Sequence, residues 1–138
     1  MTSILIEQLV DAARARDERG IDRIVLNIAK INDLSSIAWA VTEGLRHLND
    51  NVRIAAASLL GKQEVSSDVI DYVRYNLYEL MKNDPNISAR YRAAITLAKI
   101  GPESYRKDVI SVLDQAEKVR ELRPEAQQAI QSLGDCLM

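Results

Sequence analysis

A ten-residue phrase occurs three times along this chain and limits what the chain can fold into. The copies begin at residues 52, 89 and 122 and read VRIAAASLLG, ARYRAAITLA and LRPEAQQAIQ. Their starts lie 37 and 33 residues apart, which is the period of stacked helical pairs. A unit of this size cannot bury its own apolar face and must pack against its neighbours. The recurrence therefore predicts repeated helical hairpins, and by itself it names no function.

Apolar residues recur at spacings of three and four along the chain, which is the pattern of amphipathic helices. Ile6, Leu9 and Ala13 form the first such stripe. The β-branched residues follow the same period, and no Asn-Gly or Gly-Gly hairpin signal separates two apolar runs. The sequence predicts eight helices, at about residues 3–16, 21–31, 34–48, 51–63, 68–83, the second copy up to 101, 103–119 and 122–133.

Short turns between these helices favour four antiparallel pairs, so we predict an all-α fold in the form of an α-solenoid. The chain has 138 residues, of which 47% are hydrophobic, and this is long enough to bury one core. We expect a single domain with four repeats, at about residues 1–32, 33–64, 65–101 and 102–138.

The composition indicates the cellular compartment of the protein and the classes of ligand that it disfavours. No apolar run approaches the roughly 20 residues that cross a bilayer, and the N-terminus lacks a basic, apolar signal peptide. Cys136 is the only cysteine, so no intramolecular disulfide can form, and we expect a cytoplasmic protein. The net charge of −2, with 18 basic and 20 acidic side chains, disfavours a nucleic-acid binder.

Catalytic motifs are missing from the sequence. His47 is the only histidine, so neither a His-rich site nor a thiolate cluster can hold a metal, and we predict no metal and no cofactor. There is also no Gly-rich phosphate loop, paired-cysteine motif or nucleophile elbow. We therefore name no catalytic residue and expect a protein that is not an enzyme.

The first copy of the phrase, with the residue before it, resembles the second helix of a HEAT repeat. The resemblance is to the bacterial HEAT proteins related to phycobilin lyases, whose repeats read in outline Asp-x-x-Val-Arg-x-x-Ala-Ala-x-Ala-Leu-Gly-x-Ile-Gly. It covers about residues 35–135, and the first 34 residues more loosely. The later copies match this outline at Arg90, Ala93, Ala94, Leu97, Ile100 and Gly101, and at Leu122, Arg123, Ala126, Ala129, Ile130, Leu133 and Gly134.

The resemblance implies a structural role for the arginine at the second position of each copy. In the family this arginine reaches an acidic or amide group at the turn of its own or the adjoining repeat. The corresponding ladder here would be Arg53, Arg90 and Arg123, with Asp50 and Asp84 as the turn acids.

The repeated phrase also predicts a surface that binds a partner protein. In stacked hairpins the second helices line the concave face, and the third, seventh and eleventh positions of the phrase point outward. Apolar side chains at such positions are typical of a partner surface, although a shift of register by one residue would turn them inward. We predict that the protein is an adaptor or scaffold whose concave face binds another protein through Ile54, Ser58, Lys62, Tyr91, Ile95 and Lys99.

Two alternatives follow from the resemblance. Relatives of the phycobilin lyases attach or detach a tetrapyrrole, so the chain could be an accessory subunit or chaperone that binds a bilin. A nucleic-acid enzyme of the HEAT-like glycosylase kind is less well supported, because the acidic residues are spread through turns and outer helices.

Tyrosines form a second cluster on the predicted fifth helix. Tyr72, Tyr75 and Tyr78 lie three residues apart and share one side of the helix, with Tyr105 as a possible neighbour. Tyrosine is enriched at interfaces, but these rings could equally pack between repeats with their hydroxyl groups in water.

Overall fold

The computed structural model describes residues 2–135, and every regular element in them is helical. This confirms the prediction of an all-α chain with eight α-helices. A π-helical segment, Ala40–Gly44, continues α3, and a 3₁₀ turn, Glu103–Tyr105, precedes α7. The helices are α1 (Thr2–Arg14), α2 (Glu18–Ile31), α3 (Leu34–Trp39), α4 (Asp50–Lys62), α5 (Ile70–Asn83), α6 (Ile87–Ile100), α7 (Arg106–Ala116) and α8 (Arg123–Asp135).

Four helices begin at an aspartate or asparagine that caps free backbone N–H groups. Asp17 accepts from Gly20, and Asp33 begins α3 in the same way. Asn49 and Asn86 each accept two N–H groups, at the start of α4 and of α6. These two residues occupy the same position in successive copies of the repeat, 37 residues apart.

The third helix differs from its predicted span of 34–48. The N–H of Leu45 donates to the carbonyl of Ala40 at 2.8 Å, which is the i to i−5 bond of a π turn, and the α-helix is interrupted there. Gly44 then lies against α4, where a Cβ atom would be only 2.6 Å from Cβ of Ala56. The wider turn thus accommodates a close contact between two helices, which the local sequence does not specify.

The even-numbered helices lie in a row, with α2 against α4, α4 against α6 and α6 against α8. On this row, α1 packs against α2, α5 against α6 and α7 against α8. The π segment that continues α3 packs against α4, and α3 itself packs against α1. One core cluster extends from Leu9 to Leu133. Most alanines of the repeated phrase are buried in it. The hydroxyl of Thr96 donates to the carbonyl of Ala57 at 2.8 Å across the α4–α6 contact.

Side-chain hydrogen bonds connect each helical pair to the next. Among residues 2–135, some side-chain hydrogen bonds join residues more than ten positions apart in sequence. All of these span 27 to 39 positions. The pair Arg53–Asp84 and the pair Arg92–Glu125 are two examples. The hydrogen bonds that span 27 residues lie within one helical pair. Those that span 29 to 39 residues join neighbouring pairs, and this spacing corresponds to the sequence period.

None of the described helices has both the length and the apolar character to cross a membrane. Cys136 lies outside the described residues.

Candidate functional site

A furrow runs across the row of even-numbered helices, and we call it the groove. It has two adjoining parts, with volumes of about 380 Å³ and about 420 Å³, and Lys62, Lys99 and Glu125 line both. The first part is also lined by Asp22, Val25, Leu26, Ser58, Arg92 and Thr96. The second part is also lined by Ala98, Gln128, Ala129 and Ser132.

Helical spacing places these side chains on one face. Ser58 and Lys62 are four residues apart on α4, and Arg92, Thr96 and Lys99 follow one another at intervals of four and three on α6. Residues at these intervals lie above one another on a helix. Each of the four even-numbered helices therefore contributes one stripe of side chains to the groove.

The two central helices pack together beneath the groove at Gly61, where the space would also admit a methyl group. A Cβ atom at this position would lie 3.4 Å from Oγ1 of Thr96 and 3.6 Å from Cδ of Lys99. Cδ of Lys99 thus lies close to the backbone of α4, and Lys99 lines the same groove as Lys62.

Arg92 and Glu125 form a two-point ion pair across the groove, from α6 to α8. The Nη1–Oε2 distance is 2.5 Å and the Nη2–Oε1 distance is 3.3 Å. Because Arg92 donates these hydrogen bonds to it, the Glu125 carboxylate has a pKa below its usual value. The charges of this pair neutralise each other.

Lys62 and Lys99 are the other cations of the groove. Among residues 2–135, neither ammonium group has a hydrogen-bond or ion-pair partner within 4 Å. Burial of the Lys99 side chain, and then the positive charge of Lys62, lower the pKa of Lys99 despite the attraction of Glu125. Lys99 is nevertheless exposed, so its ammonium group is accessible to a ligand.

Three of the six predicted partner-binding residues line the groove, namely Ser58, Lys62 and Lys99. The expectation that Tyr91 and Ile95 face solvent is wrong, since they are only 6% and 1% exposed. Ile54 is partly buried and is not among the residues that line the groove.

The burial of Tyr91 and Ile95 follows from the position of α6, which packs against α4, α5, α7 and α8 and has little free surface. Tyr91 lies in a small cluster with Ala116 and Ala126, and Ile95 lies in the main core. The surface of α6 that faces the groove is rotated by one residue, so that it presents Arg92 and Thr96 instead.

Several groove residues were missed by the sequence analysis. Arg92 is the most informative, because a charged residue inside an otherwise apolar phrase must reach either water or a counter-ion. Its partner Glu125 lies near the start of the third copy, 33 residues away. Asp22 and Leu26 on α2 carried no signal, because the repeated phrase does not extend to that helix.

The three arginines of the expected ladder have different surroundings. Arg53 pairs with Asp84 of the next unit, with an Nε–Oδ2 distance of 2.7 Å and an Nη2–Oδ1 distance of 3.1 Å. Arg123 donates instead to the backbone carbonyl of Glu117 at 3.1 Å. Arg90 is partly buried, and no side-chain hydrogen bond joins it to another residue in the described part of the chain.

Of the two expected turn acids, Asp84 binds an arginine of the ladder, whereas no such bond to Asp50 is found within residues 2–135. Asp84 accepts hydrogen bonds from the guanidinium group of Arg53, and Asp50 accepts a hydrogen bond from Nδ2 of Asn86 at 2.6 Å. The N-terminal ends of α4 and α6 are therefore joined by two polar contacts.

The tyrosine cluster divides into two parts. Tyr78 stacks on Tyr105, with ring centroids 4.3 Å apart, and donates a hydrogen bond to Asp108 at 3.2 Å. Burial raises the pKa of Tyr78. This ring packs between units, whereas Tyr72 and Tyr75 are exposed.

Comparison with known proteins finds no matching family model, no matching curated protein and no matching solved structure. Within residues 2–135, no group of three or more histidine, cysteine, aspartate or glutamate side chains is placed to hold a metal ion.

Proposed function

We propose that this protein is a non-catalytic adaptor, built as an α-solenoid of four HEAT-like hairpins, which binds a segment of another protein in the groove. The observation that carries this proposal is that the groove crosses α2, α4, α6 and α8, one helix from each helical pair. A ligand lying in it would contact every unit of the chain.

The length of the groove suits a peptide segment. Packed helices lie about 8–10 Å apart, so four helices in a row span roughly 24–30 Å between the outer axes. An extended chain rises about 3.3 Å per residue, so about eight residues would fill this span. The lining mixes charged, polar and apolar side chains, as the rim and core of a protein interface do.

Site-specific photo-cross-linking in cells of the native host tests the proposal. A photoreactive phenylalanine analogue would replace Leu26 on α2 or Gln128 on α8, which line the groove at its two ends and are exposed. Ser111, exposed on the outer helix α7, is the matched control. We expect the two groove positions to capture one and the same protein, identified by mass spectrometry, and Ser111 not to capture it.

A charge reversal gives the second arm of this test. Lys62→Glu with Lys99→Glu should abolish the cross-link from Leu26. Lys82→Glu with Lys107→Glu changes the net charge equally at exposed lysines outside the groove and should leave the cross-link intact. Equal capture from Ser111, or an unchanged cross-link in a folded groove variant, would refute the proposal.

A further inference from the structure

The charges of the groove are unbalanced once the internal ion pair is set aside. Arg92 and Glu125 bind each other, which leaves Lys62 and Lys99 as cations and Asp22 as an anion. Asp22 lines only the first part of the groove, whereas the two lysines line both parts. In the second part, the only charges outside the ion pair are therefore positive.

We propose that the segment bound in the groove is acidic, with a carboxylate placed between Lys62 and Lys99 and an apolar side chain against Leu26. This inference rests on the proposed function, and it adds the chemistry of the partner.

The two lysines are suited to bind one carboxylate. Both line both parts of the groove, so an anion at the junction of the two parts would lie near each ammonium group. Both lysines are exposed, and Cδ of Lys99 lies beside Gly61 of α4, one residue before Lys62. A carboxylate would also offset the two effects that lower the pKa of Lys99, which are burial and then the positive charge of Lys62.

Helix α2 provides the apolar contact for the bound segment. Leu26 is 51% exposed at the first part of the groove, beside the buried Val25. Asp22 lies one helical turn before Leu26 and would repel a second carboxylate at that end. The expected segment therefore has its acidic residue near α6 and α8 and its apolar residue near α2.

Selection from a phage library of random 12-residue peptides tests this inference without knowledge of the natural partner. We expect peptides selected on the native protein to be enriched at least about twofold in Asp and Glu over the library. The dissociation constant of a selected peptide should rise about tenfold for Lys62→Gln with Lys99→Gln, because two ion pairs are lost. It should stay unchanged for Lys82→Gln with Lys107→Gln.

A nuclear magnetic resonance titration supplies a site-specific readout. Followed at the Cε carbon of Lys99, the pKa of this lysine should rise when the selected acidic peptide binds, since a nearby carboxylate favours the ammonium form. A selection without acidic enrichment, a pKa that does not rise, or tighter binding of a 12-nucleotide single-stranded DNA than of the acidic peptide would overturn the inference.

The two proposals fail in different ways. If cross-linking captures a partner from the groove but the cross-linked segment has no acidic residue, the acidic partner is refuted and the adaptor stands. If the groove positions capture nothing that Ser111 does not capture, the adaptor itself is refuted.

Discussion

Replacing Asp84 by alanine should lower the free energy of unfolding by about 3 kcal/mol, because the charge of Arg53 then loses its counter-ion. The Asp84 side chain is 3% exposed and that of Arg53 is 14% exposed. Asp84 also accepts the backbone N–H of Asn86 at 2.8 Å. Removing one partner of a buried ion pair costs about 3–5 kcal/mol. We expect the lower end of this range, since Arg53 keeps the carbonyl groups of His47 and Leu48 as acceptors.

The loss should be visible in both chemical and thermal unfolding. With about 2.1 cal/mol/K of unfolding entropy per residue, a chain of 138 residues loses roughly 10 °C of Tm for 3 kcal/mol. Urea titration followed by circular dichroism measures the free energy directly. Asp71→Ala is the matched control, because Asp71 binds Arg74 at 3.0 Å but is 94% exposed, and such surface pairs contribute about 0–1 kcal/mol.

A double-mutant cycle separates the ion pair from other effects of the substitution. Arg53→Met should cost less in the Asp84→Ala background than in the native one, with a coupling of about 1–3 kcal/mol. The reasoning is refuted if the coupling is near zero, or if Asp84→Ala and Asp71→Ala differ by less than about 0.5 kcal/mol.

Three further changes test packing, capping and titration. Gly44→Ala should lower the free energy of unfolding in urea by about 1–3 kcal/mol, because the new Cβ atom would lie 2.6 Å from Cβ of Ala56. Gly61→Ala is the control, since its Cβ atom would make only ordinary contacts, and this change should be neutral or stabilising. Equal effects of the two substitutions would contradict this reasoning. Asn86→Ala should cost about 1–2 kcal/mol through loss of its N-cap bonds, and a cost below about 0.3 kcal/mol would contradict the capping role. The lowered pKa of Glu125 means that its ion pair stabilises the protein fully above its ordinary pKa of 4.5, and that this contribution is lost as the pH falls through the lower folded-state pKa. The stability difference between the native protein and Glu125→Gln should therefore be present at pH 6 and vanish in acid, and a difference that grows in acid would contradict the assignment.

The helices could be predicted from the sequence because their signals are local. The spacing of apolar residues predicted all eight α-helices. The interruption of α3 could not be predicted in this way. It depends on the close contact between Gly44 and Ala56, which are twelve residues apart and belong to different helices.

The groove could be predicted only in part. The repeat frame identified Ser58, Lys62 and Lys99, because α4 and the end of α6 present the expected positions to one face. It failed at Tyr91 and Ile95, because a helix with neighbours on most of its sides buries positions that would be exposed at the edge of a stack. The rotation of α6 depends on tertiary packing, which a pattern within one helix does not contain.

The narrow range of 27 to 39 residues spanned by the longer side-chain hydrogen bonds of residues 2–135 has a consequence for the order of folding. Each of these contacts closes a loop of similar, moderate length, so the entropy cost of forming one differs little from that of forming another. If the chain forms the α-solenoid proposed above, folding would nucleate at any pair of neighbouring units and propagate in either direction. None of these hydrogen bonds requires the distant ends of the polypeptide to meet first.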